Sequence, residues 1–256
     1  MGRVENKVAL ITGGAMGIGR ACAERLAAEG ALVVITDVVD DIGMSTAEAI
    51  GAQGGSATYL HHDVTSEAEW VAVLKQVEQL HNRLDILVNN AGIAVRVPVF
   101  EMSLADFHKQ NAVNLDGVFL GLKHGIPIMA ATGGGSVINV SSVAGLRAAP
   151  GLSAYAMTKG GVRLLSKSVA AECTNLANGV RVNSIHPGII ETAIWQKMGS
   201  AAGDNQTDVE GIAAAVVPGG VLGKAIDIAN GVLYLASDES RYVNASELVV
   251  DHGFSA

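Results

Sequence analysis

The feature that most constrains this chain is a repeated alternation. Short apolar runs recur at Val8–Ile11, Leu32–Thr36, Ala57–His61, Asp85–Val88, Val137–Val140, Val180–Ile185 and Glu247–Val250. Segments of helical period lie between them: Gly17–Ala28, Asp41–Ala52, Ser66–Leu80, Leu104–Ala131, Ala154–Leu176 and Ala225–Ala236. Runs that are apolar throughout, not at every second residue, suit strands buried on both faces. Strand–helix alternation of that kind requires a parallel sheet with helices on each side. Right-handed crossovers then wind the chain both ways from the middle of the sheet. The predicted fold is therefore one α/β domain over residues 1–256, with a doubly wound, seven-stranded parallel sheet. No linker interrupts it.

Composition agrees and excludes several functions. Of 256 residues 49% are hydrophobic, 4% are aromatic and 31 are Gly, which fits a Val, Ile, Leu and Ala core with many tight turns. Such a length buries ample core by itself. Lys plus Arg number 17 against 25 Asp plus Glu, for a net charge of -8. No basic stripe is present, so no nucleic-acid partner is expected. Cys22 and Cys173 lie far apart, which speaks against a disulfide framework or a zinc site and for a reducing compartment. Met1–Lys7 lacks a signal-peptide layout, and no apolar run has membrane-spanning length. The expectation is a soluble, cytoplasmic protein. Gly199–Gly220 is low in complexity, rich in Gly, Ala and Asp. It reads as a surface insertion or, since long loops in compact domains are often functional, as part of a substrate lid over 191–222.

Thr12-Gly13-Gly14-Ala15-Met16-Gly17-Ile18-Gly19 joins the first strand to the first helix. Glycines there allow a tight turn and a close approach to a pyrophosphate, and the helix N-terminus adds free N–H groups. The spacing is G-x-x-x-G-x-G, not the general G-x-G-x-x-G fingerprint. Asp37 ends the second strand, about 20 residues on, where a carboxylate binds ribose hydroxyls. A carboxylate there repels a 2′-phosphate, and Val38 supplies no cation to offset it. The implied cofactor is NAD on a Rossmann-type sheet. Asp63, Asn90 within Asn89-Asn90-Ala91-Gly92, Ser142 and His186-Pro187-Gly188 all follow strand ends, so they should line one crevice.

Tyr155 and Lys159 are four residues apart, on one helix face if the segment is helical, with Cβ atoms roughly 5–6 Å apart. A free phenol has a pKa of about 10, and a nearby cation lowers it. Such a pair is either a tuned proton donor or an ordinary surface pair. Ser142 stands thirteen residues upstream of Tyr155.

Together these motifs resemble the short-chain dehydrogenase/reductase family, in its shorter form. The resemblance runs from Lys7-Val8-Ala9-Leu10-Ile11-Thr12-Gly13-Gly14 to Ser246-Glu247-Leu248-Val249-Val250-Asp251, essentially the whole chain. Asn111-Ala112-Val113-Asn114-Leu115-Asp116-Gly117-Val118-Phe119 and Ala236-Ser237-Asp238-Glu239-Ser240 are similar to segments of bacterial secondary-alcohol and hydroxysteroid dehydrogenases. His252 is a departure, since many members have Gly there.

The resemblance implies that Tyr155 is the general acid/base and that Lys159 holds the nicotinamide ribose and keeps Tyr155 acidic. It implies that Ser142 fixes the substrate oxygen, with Ser141 as the competing residue. Asn114 would anchor a water beyond Lys159. Around the cofactor it implies Gly13, Met16, Gly17, Ile18, Gly19, Asp37, Asp63, Val64, Asn90, Ala91, Gly92, Pro187, Gly188, Ile189 and Thr192. His61, His62, His108, His124 and His186 show no ligand spacing, and no metal is expected, because the cofactor carries the hydride.

The implied substrate pocket holds Ser142, Ala144, Leu152, Tyr155, Ile190 and Trp195, with Ala94, Val95, Val143 and Met198 as further apolar lining. That favours a hydrophobic secondary alcohol or ketone, with cyclic, aromatic and steroidal rings included. Family members are commonly homotetramers paired through long helices, and Val162, Leu165 and Val169 are candidates for such a face or, equally, for core packing. A 3-oxoacyl-carrier-protein reductase, preferring NADPH, and a non-catalytic dinucleotide sensor or scaffold are the alternatives.

Overall fold

In the computed structural model, which describes residues 2–198 and 207–256, strands with no alternation occupy the sheet centre. β1 (Val8–Thr12) is buried at every position, as is β4 (Ile86–Asn89). β5 (Gly135–Val140) and β6 (Val180–Pro187) are buried but for one residue each, and β2 (Leu32–Asp37) but for its two ends. β3 (Ser56–His61) and β9 (Glu247–Val250) are the more exposed edges. All seven strands are parallel, in the order β3-β2-β1-β4-β5-β6-β9. The winding direction reverses between β1 and β4, and a crevice forms at the carboxyl ends of strands at such a point.

Each face of the sheet carries its own apolar core. On one side α1 (Gly17–Ala28), α2 (Asp40–Ala52) and α9 (Ala225–Ala236) bury Leu26, Ile50 and Leu233 against Ile11, Ile35 and Ile185. On the other, α3 (Glu67–His81), α5 (Gly117–Ala131) and α6 (Ser153–Asn175) bury Trp70, Met129 and Val162 against Leu10, Leu87 and Val182. Among the described residues no helix is long and apolar enough to cross a membrane.

The helical region predicted over Leu104–Ala131 is present with those bounds, as α4 (Leu104–Asn111), a π-helical turn at Ala112–Asp116 and α5 in unbroken succession. Pro127, expected as a weak point, sits inside α5. The wide turn has a distant partner. Asn114 in the wide turn exchanges two hydrogen bonds with the backbone of Ile93, each 2.9 Å long.

One expectation to correct concerns Gly199–Gly220. Residues 199–206 lie outside the described residues, but the stretch also holds α8 (Val209–Val216), with Asp208 Oδ1 accepting from the Gly211 N–H at 2.8 Å. An Ala-rich segment behind an Asp cap forms a helix despite its low complexity. β7 (Ile190–Glu191), α7 (Ile194–Lys197) and β8 (Gly223–Lys224) complete this side, and β7 pairs with β8.

Of the two readings of Val162, Leu165 and Val169, core packing holds for Val162, which is fully buried, and Leu165 and Val169 pack against the same core. The exposed apolar side chains of α6 are Met157 and Leu164. Of the histidines, His62 and His186 are buried structural groups, whereas His124 pairs with Glu67 at the surface. His252 has φ 54°, the left-handed region that favours glycine, which gives the departure at that position a backbone cost.

Candidate active site

The carboxyl ends of the strands open onto a crevice of about 1590 Å³. Ordinary small-molecule pockets run to roughly 300–1,000 Å³, so this one has room for more than one ligand.

One end is built by the β1–α1 turn. Gly13 has φ 62° and Gly17 φ 57°, both in the left-handed region. A Cβ on Gly13 would stand 2.8 Å from Ala91 Cα, so a side chain there would break the packing of the turn on the β4 end. Asn90 locks the two together, its Nδ2 donating to the carbonyls of Thr12 and Gly13 at 2.9 Å. Thr12 Oγ1 accepts in return from the N–H groups of Asn90 and Ala91, both at 3.1 Å. α1 then starts without a side-chain cap, which suits an anion at its N-terminus. Met16, Gly17 and Ile18 line the crevice with Gly13. Gly19 does not; it faces inward, where a Cβ would lie 2.1 Å from the Gly13 carbonyl oxygen.

Asp37 also lines the crevice, held rigidly. Its Oδ2 accepts from the Ala15 N–H at 3.1 Å. Its Oδ1 accepts from the N–H groups of Val38 and Val39 at 2.8 and 3.2 Å. Asp63 and Val64 follow along the wall. Asp63 Oδ1 is tied to Thr65, and its backbone N–H donates to Glu69 Oε2 at 2.7 Å. Glu69 thus reaches past the Ser66 cap, whose Oγ accepts from Glu69 N–H at 3.3 Å.

The far end centres on the start of α6. Tyr155 and Ser142 line the crevice together, and the Ser142 side chain acts on the phenol. Burial pushes the phenol up to about 12, and Ser142 pulls it the other way. Lys159 is buried, with Nζ donating to the Val140 carbonyl at 2.9 Å and lying 5.7 Å from the Tyr155 ring centroid. Burial lowers its pKa to about 8. Ser141 points away, its Oγ donating to the Lys159 carbonyl at 2.8 Å, so of the two serines Ser142 meets Tyr155. Asn114 does not line the crevice but stands directly behind it. Asn114 Oδ1 and Lys159 Nζ are each 3.4 Å from where a Cβ on Gly92 would sit.

Ala91, Gly92, Pro187, Gly188, Ile189 and Thr192 close the crevice between its ends. Thr192 Cγ2 lies 3.6 Å from the Cβ position of Gly17, so Thr192 sits over the glycine turn. Ala144, Leu152, Ile190 and Trp195 line the outer part. Trp195 spends its indole N–H on the Ile190 carbonyl at 2.7 Å, leaving an apolar face to the cavity.

Phe254 escaped the sequence reading; it faces Arg147 in the crevice lining. No motif marks Phe254. His186, expected to line the crevice with Pro187 and Gly188, does not: it is buried beneath Ser142 and contacts its carbonyl at 3.1 Å. Among the described residues no group of three or more His, Cys, Asp or Glu is placed to hold a metal.

Comparison with known proteins agrees with this geometry. A family model described as enoyl-(acyl carrier protein) reductase matches residues 13–255. The cyclopentanol dehydrogenase of Comamonas sp. is 40% identical, with 100% of both chains covered. The NADP-dependent (R)-specific alcohol dehydrogenase of Lentilactobacillus kefiri is also 40% identical, covering 99% of this chain and 98% of its own. Among solved structures, levodione reductase superposes with a TM-score of 0.91 at 36% identity, covering 98% of each chain. With its parallel sheet, its glycine turn and these full-length relatives, the chain belongs to the short-chain dehydrogenase/reductase family.

Proposed function

We propose that the protein transfers a hydride between NAD(H) and a hydrophobic secondary alcohol or ketone, with Tyr155 as the general acid/base. The observation that carries this is the trio brought together in the crevice lining: Ser142, Tyr155 and Lys159, with the Lys159 ammonium held 5.7 Å from the Tyr155 ring. The residues around the glycine turn fit a dinucleotide: left-handed glycines, an uncapped helix start and an anchored carboxylate. When bound, a nicotinamide supplies the hydride acceptor or donor.

The protein's own groups handle the proton and the substrate oxygen. In ketone reduction Tyr155 gives its proton to the oxygen as negative charge develops, and Ser142 holds that oxygen by a second hydrogen bond. In alcohol oxidation Tyr155 takes the proton, so it must first be a phenolate. The Lys159 cation favours that form, and Asn114 Oδ1, converging with Lys159 on Gly92, gives a bound water its second partner. Ala144, Leu152, Ile190 and Trp195 exclude bulk water and receive an apolar ring. The cyclic alcohol named for the Comamonas relative supports that substrate class.

Asp37 supports NAD over NADP, because its carboxylate repels a 2′-phosphate. The Lentilactobacillus relative's name states the opposite preference, so the cofactor is the sharpest point to test. A second reading follows the family model's description, reduction of an acyl chain on a carrier protein. It predicts NADPH preference and no use of simple cyclic alcohols. The assay is oxidation of cyclic secondary alcohols with NAD and NADP, read by absorbance of the reduced nicotinamide, on wild type and Tyr155→Phe. Near wild-type rates in the variant would remove Tyr155 from the chemistry. The reading includes a cytoplasmic homotetramer, which light scattering checks.

A further inference from the structure

The last residues of the chain bring an aromatic ring to the crevice mouth. After β9, Asp251 organises a tight turn. Its Oδ1 accepts from the Gly253 N–H at 2.9 Å, and its Oδ2 accepts from the N–H and hydroxyl of Ser255 at 2.8 and 2.6 Å. Gly253 has φ 79°, so the turn depends on glycine there. The turn also grips the inner crevice wall. Gly188 donates to the Val250 carbonyl at 2.9 Å, and a Cβ on Gly188 would stand 2.7 Å from Asp251 Cα. On its outer side a Cβ on Gly253 would come within 3.8 Å of Pro218 Cγ, behind α8.

Phe254, at the tip, meets Arg147 from the connection between β5 and α6. Arg147 Nη1 donates to the Phe254 carbonyl at 2.8 Å. The guanidinium carbon lies 4.9 Å from the centroid of the Phe254 ring, within cation–π range. Both residues line the crevice. The Arg147 charge is thus engaged by a carbonyl and a ring. The two sides of this contact come from segments 107 residues apart, so neither alone forms it.

We propose that the Arg147–Phe254 clasp is the outer wall of the substrate end and sets the largest ring the site admits, which rests on the alcohol and ketone reading above. The substrates it selects are compact alicyclic ketones and alcohols; large rings need the clasp open. Asp251 and Gly188 couple the position of the wall to the corner where β6 ends, so the wall is built into the fold and not left to a free tail.

The test is a binding series of cyclopentanone, cyclohexanone and cyclododecanone to the NADH-loaded full-length protein, followed by ligand-observed NMR. It compares wild type with Phe254→Ala and with Arg147→Ala, which leaves the core untouched because Arg147 is exposed. In both variants the ratio of the cyclododecanone Kd to the cyclopentanone Kd should fall about tenfold, the lower end of what one methylene does in an apolar pocket. A ratio unchanged in Arg147→Ala overturns the clasp, whatever Phe254→Ala does, and so does failure of every ketone to bind. Cyclopentanol oxidation by the wild type is read on the same samples. Turnover with an unmoved ratio removes the clasp alone; a moved ratio without turnover removes the dehydrogenase reading alone.

Discussion

His186 Nδ1 lies 3.1 Å from the carbonyl oxygen of Ser142, and that contact fixes the state of the imidazole. A carbonyl only accepts, so Nδ1 carries the proton. Nε2 is then the acceptor, and Ser184 Oγ, 2.9 Å away, donates to it. Burial lowers the His186 pKa, which keeps the ring neutral. The residue holds the backbone of Ser142, whose hydroxyl meets Tyr155.

His186→Ala should strand two buried polar groups and cost about 1–3 kcal/mol of stability. It should also displace the Ser142 side chain that draws the Tyr155 pKa down, so the pH limb of kcat/KM for alcohol oxidation should move to higher pH. His186→Asn, which restores a donor to the carbonyl, should recover the wild-type limb. A pH–rate profile with thermal denaturation checks this. Lost stability with an unmoved limb would leave His186 a packing residue only.

Lys159 pays in stability for its place beside Tyr155. Its pKa falls from 10.5 to about 8 by burial, so charging it in the native protein costs on the order of 3 kcal/mol. The penalty is fully present below pH 8, where the lysine is charged both folded and unfolded. It is relieved between pH 8 and 10.5, where the native lysine gives up its proton first. Lys159→Met should therefore be the more stable protein at pH 7, by about 1–3 kcal/mol after loss of the bond to Val140. That advantage should shrink as pH rises toward 10.5, while turnover is lost throughout. Urea unfolding at pH 7 and pH 10 measures it, and a destabilised Met variant at pH 7 would contradict it.

Asp37 spends both carboxylate oxygens on backbone N–H groups, so its charge cannot swing away from an incoming phosphate. Asp37→Ser combined with Val38→Arg should reverse the cofactor preference, raising the NADP to NAD ratio of kcat/KM by about a hundredfold, since an Arg placed there accommodates a 2′-phosphate. Initial rates with both cofactors decide it. A ratio that stays with NAD would mean that selectivity resides elsewhere in the crevice.

What the sequence made legible follows from which interactions are local. β1, β2 and β4 are readable because a strand buried on both faces is apolar over most of its length. The glycine turn is readable because left-handed φ at Gly13 and Gly17 restricts the residue type. The π turn at Ala112–Asp116 carries no such mark, because its partner is Ile93, 21 residues back. His186 reads as an ordinary histidine until β6 is laid beside β5 and its ring falls under Ser142, 44 residues away. Phe254 is visible only once the tail has folded against Arg147.

His62 gives the fold an acid limit. The ring is buried edge-on to Trp70, with centroids 4.4 Å apart. Nδ1 lies 3.2 Å from Thr36 Oγ1, and Nε2 has no partner among the described residues. Burial lowers the pKa to about 4, although the charges of Glu69 and Asp63 pull it upward and His61 opposes them. The unfolded chain therefore binds a proton near pH 6.5 that the native ring refuses until about pH 4. Stability from this residue is complete above pH 6.5 and is lost as pH falls through that window, approaching about 3 kcal/mol at its lower end. His62→Phe keeps the contact with Trp70 and removes the titration. Its unfolding free energy should fall less than the wild type's between pH 7 and pH 4.5, by about 2 kcal/mol in urea titrations. Equal losses in the two proteins would assign the acid sensitivity to the carboxylates instead.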